Sequence, residues 1–109
     1  MNLTEQKCVP CEGGMPPLSE SEAKHFLADV KDWKLEENNT LIRKEYRFKD
    51  FAASMKFVNN IAAIAEEQGH HPDISISYNK VTISLTTHAI KGLSVNDFII
   101  AAKIDAILR

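Results

Sequence analysis

The chain has 109 residues, of which 44% are hydrophobic and 26% are charged, and its formal net charge is −2. This length predicts one domain, and the ordinary composition excludes a wholly disordered chain. With 13 basic against 15 acidic residues, direct binding of nucleic acid is not expected. No apolar run approaches the ~20 residues of a membrane span, and the first residues lack the layout of a signal peptide. We therefore expect a cytoplasmic protein that does not bind a membrane.

The N-terminal part of the chain predicts an irregular leader followed by a short helix. Proline and glycine recur too densely over residues 1–17 for a helix or strand, and we expect one domain over residues 18–109. Ser19 and Glu22 match a capping box, in which each side chain satisfies a backbone donor of the first helical turn. The apolar stripe that follows at helical spacing consists of Ala23, Phe26, Leu27 and Val30.

Two strands are predicted after this helix. Residues 33–37 and 41–48 are rich in β-branched and aromatic side chains, which favour extended structure. A tight turn at Asn38-Asn39 is expected to join the strands, because asparagine tolerates positive φ angles.

A long helix is predicted next. Asp50 is its expected N-cap, and the helix should end near Gln68 because Gly69 is a typical C-terminal stop. One apolar stripe is expected to face the core, and it consists of Phe51, Met55, Val58, Ala62 and Ala65. Three more apolar residues widen this stripe, namely Phe57, Ile61 and Ile64.

A strict alternation of apolar and polar residues then predicts a hairpin with a two-residue loop at Asn79-Lys80. In that register the apolar residues face the core and pair as follows: Tyr78 with Val81, Ile76 with Ile83, and Ile74 with Leu85.

The same register makes a prediction about the histidines at the open end of the hairpin. Extending it places His71 opposite His88, with Cβ atoms ~4.5–5.5 Å apart. His70 is expected to point the other way or to lie on the loop from the long helix. Pro72 interrupts the ladder at this end because it has no N–H to donate.

A last helix is predicted to begin at Ser94, which forms a capping-box pattern with Asp97. Its apolar residues cover far more than one face, and such a helix needs cover on several sides. In a domain this small, we expect a partner subunit to provide that cover.

The predicted element order is therefore α-β-β-α-β-β-α. Hairpin-linked strands with helices on one face are typical of the α+β class. We expect a four-stranded antiparallel sheet with the helices packed on one of its faces.

The candidate chemistry lies with His70, His71 and His88. Imidazole gains and loses a proton near neutral pH, and two adjacent imidazoles resist being charged together. One protonated and one neutral histidine would supply an acid and a base in one pocket. Since no nucleophile motif or phosphate-binding loop is present, a simple proton transfer such as dehydration or tautomerisation fits better than group transfer.

A metal site is the alternative interpretation of these histidines. Neutral imidazoles and a carboxylate can hold zinc or iron, and Cys8 and Cys11 could add two thiolates. Against it, His70 and His71 would diverge on a strand, and a single Cys-x-x-Cys motif is a weak signal. The spacing of these residues leaves both hypotheses open.

The whole pattern resembles the signature of the pterin-4a-carbinolamine dehydratases. The leader from Cys8 to Gly14 is also similar to that of many bacterial members. The resemblance covers essentially the whole chain, and the residues that carry it are Glu66, His70, His71, Pro72, Tyr78, His88 and Asp97.

The resemblance implies a dehydratase without a cofactor, whose substrate is a 4a-hydroxytetrahydropterin. Loss of the 4a hydroxyl and the N5 proton gives quinonoid dihydropterin and water, a step of tetrahydrobiopterin recycling. The resemblance further implies that His70 and His88 are the proton-transfer pair and that His71 mainly binds substrate. Asp97 would orient a histidine or bind the pterin ring, and the other implied substrate-binding residues are Glu66, Pro72 and Tyr78.

The resemblance also implies partners. Family members are dimers or tetramers, so a homodimer or homotetramer is expected, with a functional link to an aromatic amino acid hydroxylase that releases the substrate. Some relatives also stabilise dimers of a transcription factor. The alternative function is therefore a protein-interaction module that acts as a dimerisation cofactor or transcriptional coactivator.

Overall fold

The computed structural model describes residues 3–9 and 16–108. Within these residues the predicted α+β class and element order are confirmed. The helices and strands are α1 (Glu20–Leu27), β1 (Lys34–Glu36), β2 (Leu41–Arg47), α2 (Phe51–Gln68), β3 (Asp73–Ser77), β4 (Lys80–Leu85) and α3 (Val95–Ile107).

The four strands form one antiparallel sheet in the order β1-β2-β4-β3. Side chains alternate between its two faces, so that one face is apolar and covered by the helices while the other is polar. The buried residues on the apolar face include Ile42, Tyr46, Val81, Ile83 and Leu85.

The predicted register of the second hairpin is wrong. The loop is Tyr78-Asn79, and Ile76 pairs with Val81 instead of Ile83. Tyr78 accordingly adopts a positive φ of 51°. Each pair is shifted by two residues relative to the prediction, and a shift by two preserves the face on which a side chain lies. Ile74 and Ile76 therefore keep their predicted face, whereas Tyr78, which was expected to face the core, is 63% exposed in the loop.

The predicted opposition of His71 and His88 fails with this register. The observed pairing runs from Ser77 with Lys80 to Asp73 with Ser84, and β4 ends at Leu85. His88 lies beyond the strand in a 3-10 turn, His88–Ile90. The two histidines therefore do not share a strand ladder, although both line one cavity.

Helix α2 begins and ends where the sequence predicts. The carboxylate of Asp50 accepts the N–H of Ala53 at 2.8 Å, and Gly69 caps the other end with a left-handed φ of 65°. The predicted core stripe is only partly correct, since Phe51 and Ala62 are exposed. The fully buried face instead consists of Ser54, Phe57, Ile61 and Ala65.

Helix α1 carries the predicted capping box. The Ser19 hydroxyl accepts the N–H of Glu22, and the Glu22 carboxylate accepts the N–H of Ser19. These hydrogen bonds, the backbone one first, lower the pKa of the Glu22 carboxyl from its usual value. The helix ends before Val30, which is nevertheless buried in the core.

Helix α3 is the central element of the core and is covered within a single chain. Phe98, Ile99, Ile100 and Ala101 are all at most 1% exposed, although consecutive residues point in different directions around a helix. The expectation that a partner subunit must cover this helix is therefore wrong. A homodimer or homotetramer stays a prediction, which now rests on the family resemblance and not on the burial of α3.

Part of the predicted leader packs on the domain. Leu3 belongs to a short 3-10 turn, Leu3–Glu5, and is 3% exposed in the core. The boundary predicted at residue 17 stays a prediction. In the described part of the chain, no helix is both long and apolar enough to cross a membrane.

Candidate active site

A cavity of about 490 Å³ opens at the end of the sheet where β3 begins and β4 ends. Three short segments and Asn96 line it, and the segments are residues 8–9, 68–71 and 86–89. His70, His71 and His88 all belong to this lining. Its volume is in the ordinary range of small-molecule sites, roughly 300–1,000 Å³.

Gly69 directs the chain from α2 into this cavity. Its left-handed backbone ends the helix abruptly, which only glycine adopts without strain. His70 follows immediately, and 13% of its side chain is exposed. The position expected for His70, on the loop after the long helix, is therefore correct.

His70 is held by Asp97 in the first turn of α3. Nε2 of His70 lies 2.7 Å from Oδ1 of Asp97, whose side chain is fully buried. The other carboxylate oxygen accepts the hydroxyl of Thr87 at 2.8 Å and the backbone N–H of Ser94 at 3.0 Å. The same carboxylate thus caps α3 and orients a histidine.

These contacts determine which nitrogen of His70 carries a proton. An ionised carboxylate only accepts hydrogen bonds, and both of the other contacts of Asp97 are donors. Nε2 of His70 is therefore the protonated nitrogen in the neutral ring. Nδ1 is left with its lone pair, available to accept a proton.

His71 has a weaker, more open attachment. Its Nε2 lies 2.6 Å from a carboxylate oxygen of Glu66, one helical turn back in α2. Both side chains are mostly exposed, at 62% and 78%. In water such a pair contributes little to stability, so its geometry is adjustable.

His88 reaches the cavity from the other side of the sheet end. Thr87 pairs with Gly92 in an isolated bridge, which closes a tight loop around the 3-10 turn. Lys91 ends that turn with a left-handed φ of 56°. His88 is exposed and makes no side-chain hydrogen bond to another residue in the described ranges.

A family model described as "Pterin 4 alpha carbinolamine dehydratase" matches residues 16–107. The chain belongs to the pterin-4a-carbinolamine dehydratase family. A relative from Azoarcus sp., provisionally named pterin-4-alpha-carbinolamine dehydratase, is 46% identical over 105 residues, which cover 96% of this chain and 90% of the relative. A relative from Nitrosospira multiformis with the same provisional name is 46% identical over 108 residues, covering 99% and 94%.

Two solved structures share this family fold. A transcriptional coactivator/pterin dehydratase from Brucella Melitensis has a TM-score of 0.80 at 33% identity, covering 84% of this chain and 97% of its own. A pterin dehydratase-like protein described as a RuBisCO assembly factor in the alpha-carboxysome has a TM-score of 0.62 at 27% identity, covering 70% and 88%.

Most of the residues that carried the family resemblance come together at the cavity. Asp97 and Glu66 each contact a lining histidine, and Pro72 follows His71 directly. Tyr78 does not join them. It lies at the far end of β3 in the hairpin loop, 63% exposed and outside the lining, so its role in substrate binding stays a prediction.

The cavity is also lined by residues that the sequence patterns did not single out. Thr87 directly precedes His88, Asn96 directly precedes Asp97, and Gln68 lies two positions before His70. This proximity in the sequence was the available signal. Cys8 and Val9 belong to the segment predicted as leader, and only tertiary contacts bring them here.

The metal alternative requires three or more donor side chains close together. Among residues 3–9 and 16–108, no group of three or more histidine, cysteine or acidic side chains is arranged to hold a metal ion. Cys11, the second thiol considered for such a site, lies outside the described residues.

Proposed function

We propose that this protein removes water from a 4a-hydroxytetrahydropterin to give quinonoid dihydropterin, with histidines as the general acid and the general base. The observation that carries the proposal is the convergence of His70, backed by the buried Asp97, and His88 on one cavity of about 490 Å³. Membership of the dehydratase family supplies the substrate class.

The reaction needs one acid and one base. A protonated His88 gives its proton to the 4a hydroxyl as the C4a–O bond breaks, which releases water. His70 takes the proton from N5, and the electrons of the N5–H bond form the C4a=N5 double bond. The products are one water, which carries the proton from His88, and one quinonoid dihydropterin. His70 is left with the proton from N5 and releases it to solvent before the next turnover.

The hydrogen bonds favour His70 as the base. Its Nδ1 bears the lone pair, because Nε2 donates to Asp97. When Nδ1 accepts the N5 proton, the buried carboxylate stabilises the imidazolium that forms. A positioned base of this kind contributes ~10²–10⁴-fold to the rate.

The exposure of His88 suits it to be the acid. Water reaches its ring directly, so it can recover a proton from solvent after each turnover. His71, which pairs with the exposed Glu66, is assigned to substrate binding. Its adjustable side chain can hydrogen-bond the ring of the pterin without entering the proton transfer.

The test is the rate at which quinonoid dihydropterin forms from freshly generated 4a-hydroxytetrahydropterin, followed by its absorbance. We expect the protein to accelerate this step. His70→Ala and His88→Ala should lower kcat by ~10²-fold or more, whereas His71→Ala should raise KM and largely retain kcat.

The matching measurement is the oligomeric state of each variant, which should equal that of the unaltered protein. A protein that does not accelerate dehydration would contradict the enzymatic proposal. That outcome would favour the alternative, a protein-interaction module, which the coactivator part of the Brucella relative's name also suggests.

A further inference from the structure

Residues 3–9 form a strap that runs antiparallel along α3, and we call this segment the N-terminal strap. Leu3 anchors its beginning in the core. Nζ of Lys103, near the end of α3, donates to the backbone carbonyl of Thr4 at 2.8 Å. Asn96, in the first turn of α3, binds Val9 at the other end of the strap.

Asn96 holds the backbone of Val9 in the manner of a neighbouring strand. Its Oδ1 accepts the Val9 N–H at 3.0 Å, and its Nδ2 donates to the Val9 carbonyl at 2.6 Å. Asn96 is 2% exposed, so this amide is fixed within the core. Fixing both backbone groups of one residue also fixes the direction of its side chain.

A second contact secures the strap from α2. The Cys8 N–H donates to Oε1 of Gln68 at 2.9 Å. Gln68 is the last residue of α2 and stands two positions before His70. The strap is therefore tied to both helices that position His70 and its partner Asp97.

Among the lining residues that the structure describes, Val9 has the largest apolar side chain. Most of the lining residues have polar side chains, and the other small or apolar ones are Cys8, Gly69 and Ala89. Val9 is 58% exposed. A fixed apolar side chain that is exposed beside three histidines is suited to be covered by the flat face of a heterocycle.

We propose that Val9 is a substrate-contacting residue that sets the affinity for the pterin, and that Asn96 is a positioning residue that acts through Val9. This proposal rests on the proposed function, because the pterin is the ligand that covers Val9. The proton-transfer residues are not part of it.

The first test is Val9→Ala. It removes two methyl groups that the substrate would bury in part, so we expect KM to rise about three- to tenfold. The kcat value should stay within about twofold, since the histidines are untouched. Leu108→Ala is the matched control, because Leu108 is a similarly exposed apolar residue outside the cavity, and its KM should not change.

The second test is a double-mutant cycle between Val9→Ala and Asn96→Ala. If Asn96 acts through Val9, the double variant has a KM no higher than the worse single variant. If the fold-changes in KM of the two single variants multiply in the double variant, Asn96 does not act through Val9. Faster exchange of the Val9 amide hydrogen in Asn96→Ala is the accompanying structural readout.

A third variant covers the case in which Asn96→Ala fails to fold. Gln68→Met removes the acceptor of the Cys8 N–H, and Gln68→Glu keeps an oxygen there. We expect Gln68→Met to raise KM and to couple with Val9→Ala, while Gln68→Glu restores the lower KM. Equal KM values for the two Gln68 variants would contradict the role of the strap.

Binding of an oxidised pterin, followed by its fluorescence, separates this proposal from the proposed function. A protein that binds the pterin without dehydrating substrate would contradict the proposed chemistry alone, and Val9→Ala should still weaken that binding. Dehydration with an unchanged KM in Val9→Ala would overturn the strap proposal alone. A protein that neither binds nor dehydrates pterins contradicts both.

Discussion

Nε2 of His70 lies 2.7 Å from the buried carboxylate of Asp97, and this contact joins the turn after α2 to the first turn of α3. The capping hydrogen bond from Ser94 fixes the carboxylate on its helix. The orientation of a site histidine is therefore built from two ordinary helix ends, a glycine stop and a capping box.

The first prediction concerns the charge of Asp97. In Asp97→Asn the amide has one acceptor oxygen for three donors, and the buried negative charge that stabilises protonated His70 is lost. We expect kcat to fall by ~10²-fold or more and the free energy of unfolding to fall by about 1–3 kcal/mol. Steady-state kinetics and urea unfolding measure the two effects.

Thr87→Val is the control for Asp97→Asn. It removes one donor to the same carboxylate but keeps the charge, so kcat should fall by less than about tenfold. If Asp97→Asn and Thr87→Val had the same kcat, the carboxylate would not support the proton transfer.

The second prediction concerns the pH dependence of stability and involves Tyr46, which does not line the cavity. The hydroxyl of Tyr46 donates to Asp105 at 2.5 Å, and Trp33 and Lys44 bind the same carboxylate. Burial first, and then the hydrogen bond to Asp105, raise the pKa of Tyr46 above its ordinary value. Below pH ~10 the hydroxyl is neutral in both the folded and the unfolded chain, and its contribution to stability is fully present.

Above pH ~10 the unfolded chain loses this proton and the folded chain keeps it, so stability falls by up to ~1.4 kcal/mol per pH unit. In Tyr46→Phe this loss is absent, although the variant is about 0.5–1.5 kcal/mol less stable at pH 7 because it lacks the hydrogen bond. Urea unfolding should show that the difference in the free energy of unfolding between the unaltered protein and Tyr46→Phe is smaller above pH 10 than at pH 7. A difference that is independent of pH would contradict the raised pKa of Tyr46 in the folded protein.

The third prediction compares Gly69, which lines the cavity, with Gly92, which pairs with the lining residue Thr87. A Cβ at Gly69 would meet no atom within 4 Å, but its φ of 65° strains any other residue, so Gly69→Ala should cost about 1 kcal/mol. A Cβ at Gly92 would lie 2.6 Å from Cβ of Pro17, so Gly92→Ala must displace that segment. Urea unfolding should show a larger loss for Gly92→Ala, and the reverse order would contradict the packing.

The fourth prediction concerns Tyr78, the one signature residue away from the cavity. Asparagine tolerates the positive φ of 51° better than tyrosine, so Tyr78→Asn should gain a few tenths of a kcal/mol. On the geometry of a single chain, its KM should not change. A raised KM would support the substrate-binding role that the family resemblance implies for Tyr78.

The helix ends were predictable because their rules are local. Ser19, Asp50 and Gly69 act on backbone groups within four residues, and each is found in its predicted role. The sequence also singled out the three histidines that line the cavity, since their spacing resembles the signature of the family.

The hairpin register was not predictable from local rules, because they favour asparagine at a turn and give no reason to place Tyr78 there. The structure shows a long-range contact at this loop, in which the Phe48 N–H donates to the Asn79 carbonyl at 2.8 Å. Arg47 at the end of β2 also pairs with Lys80. A register predicted from β3 and β4 alone does not take these contacts with β2 into account.

The strap was missed for a related reason. In residues 3–9 the apolar side chains do not recur at the spacing of a helix or a strand. Nothing in this segment alone therefore predicts that it packs on the domain. Their anchors, Asn96 and Lys103, lie more than eighty residues away in the chain. The burial of α3 was misjudged in the same way, because its cover comes from several separate elements of the same chain.

The most direct test of the account is the single-turnover rate of dehydration by His88→Ala, measured with and without added imidazole. We expect the variant to lose most of the acceleration and imidazole, which can reach the exposed site of His88 from solvent, to restore part of it. A variant that dehydrates the 4a-hydroxytetrahydropterin as fast as the unaltered protein would contradict proton transfer by His88.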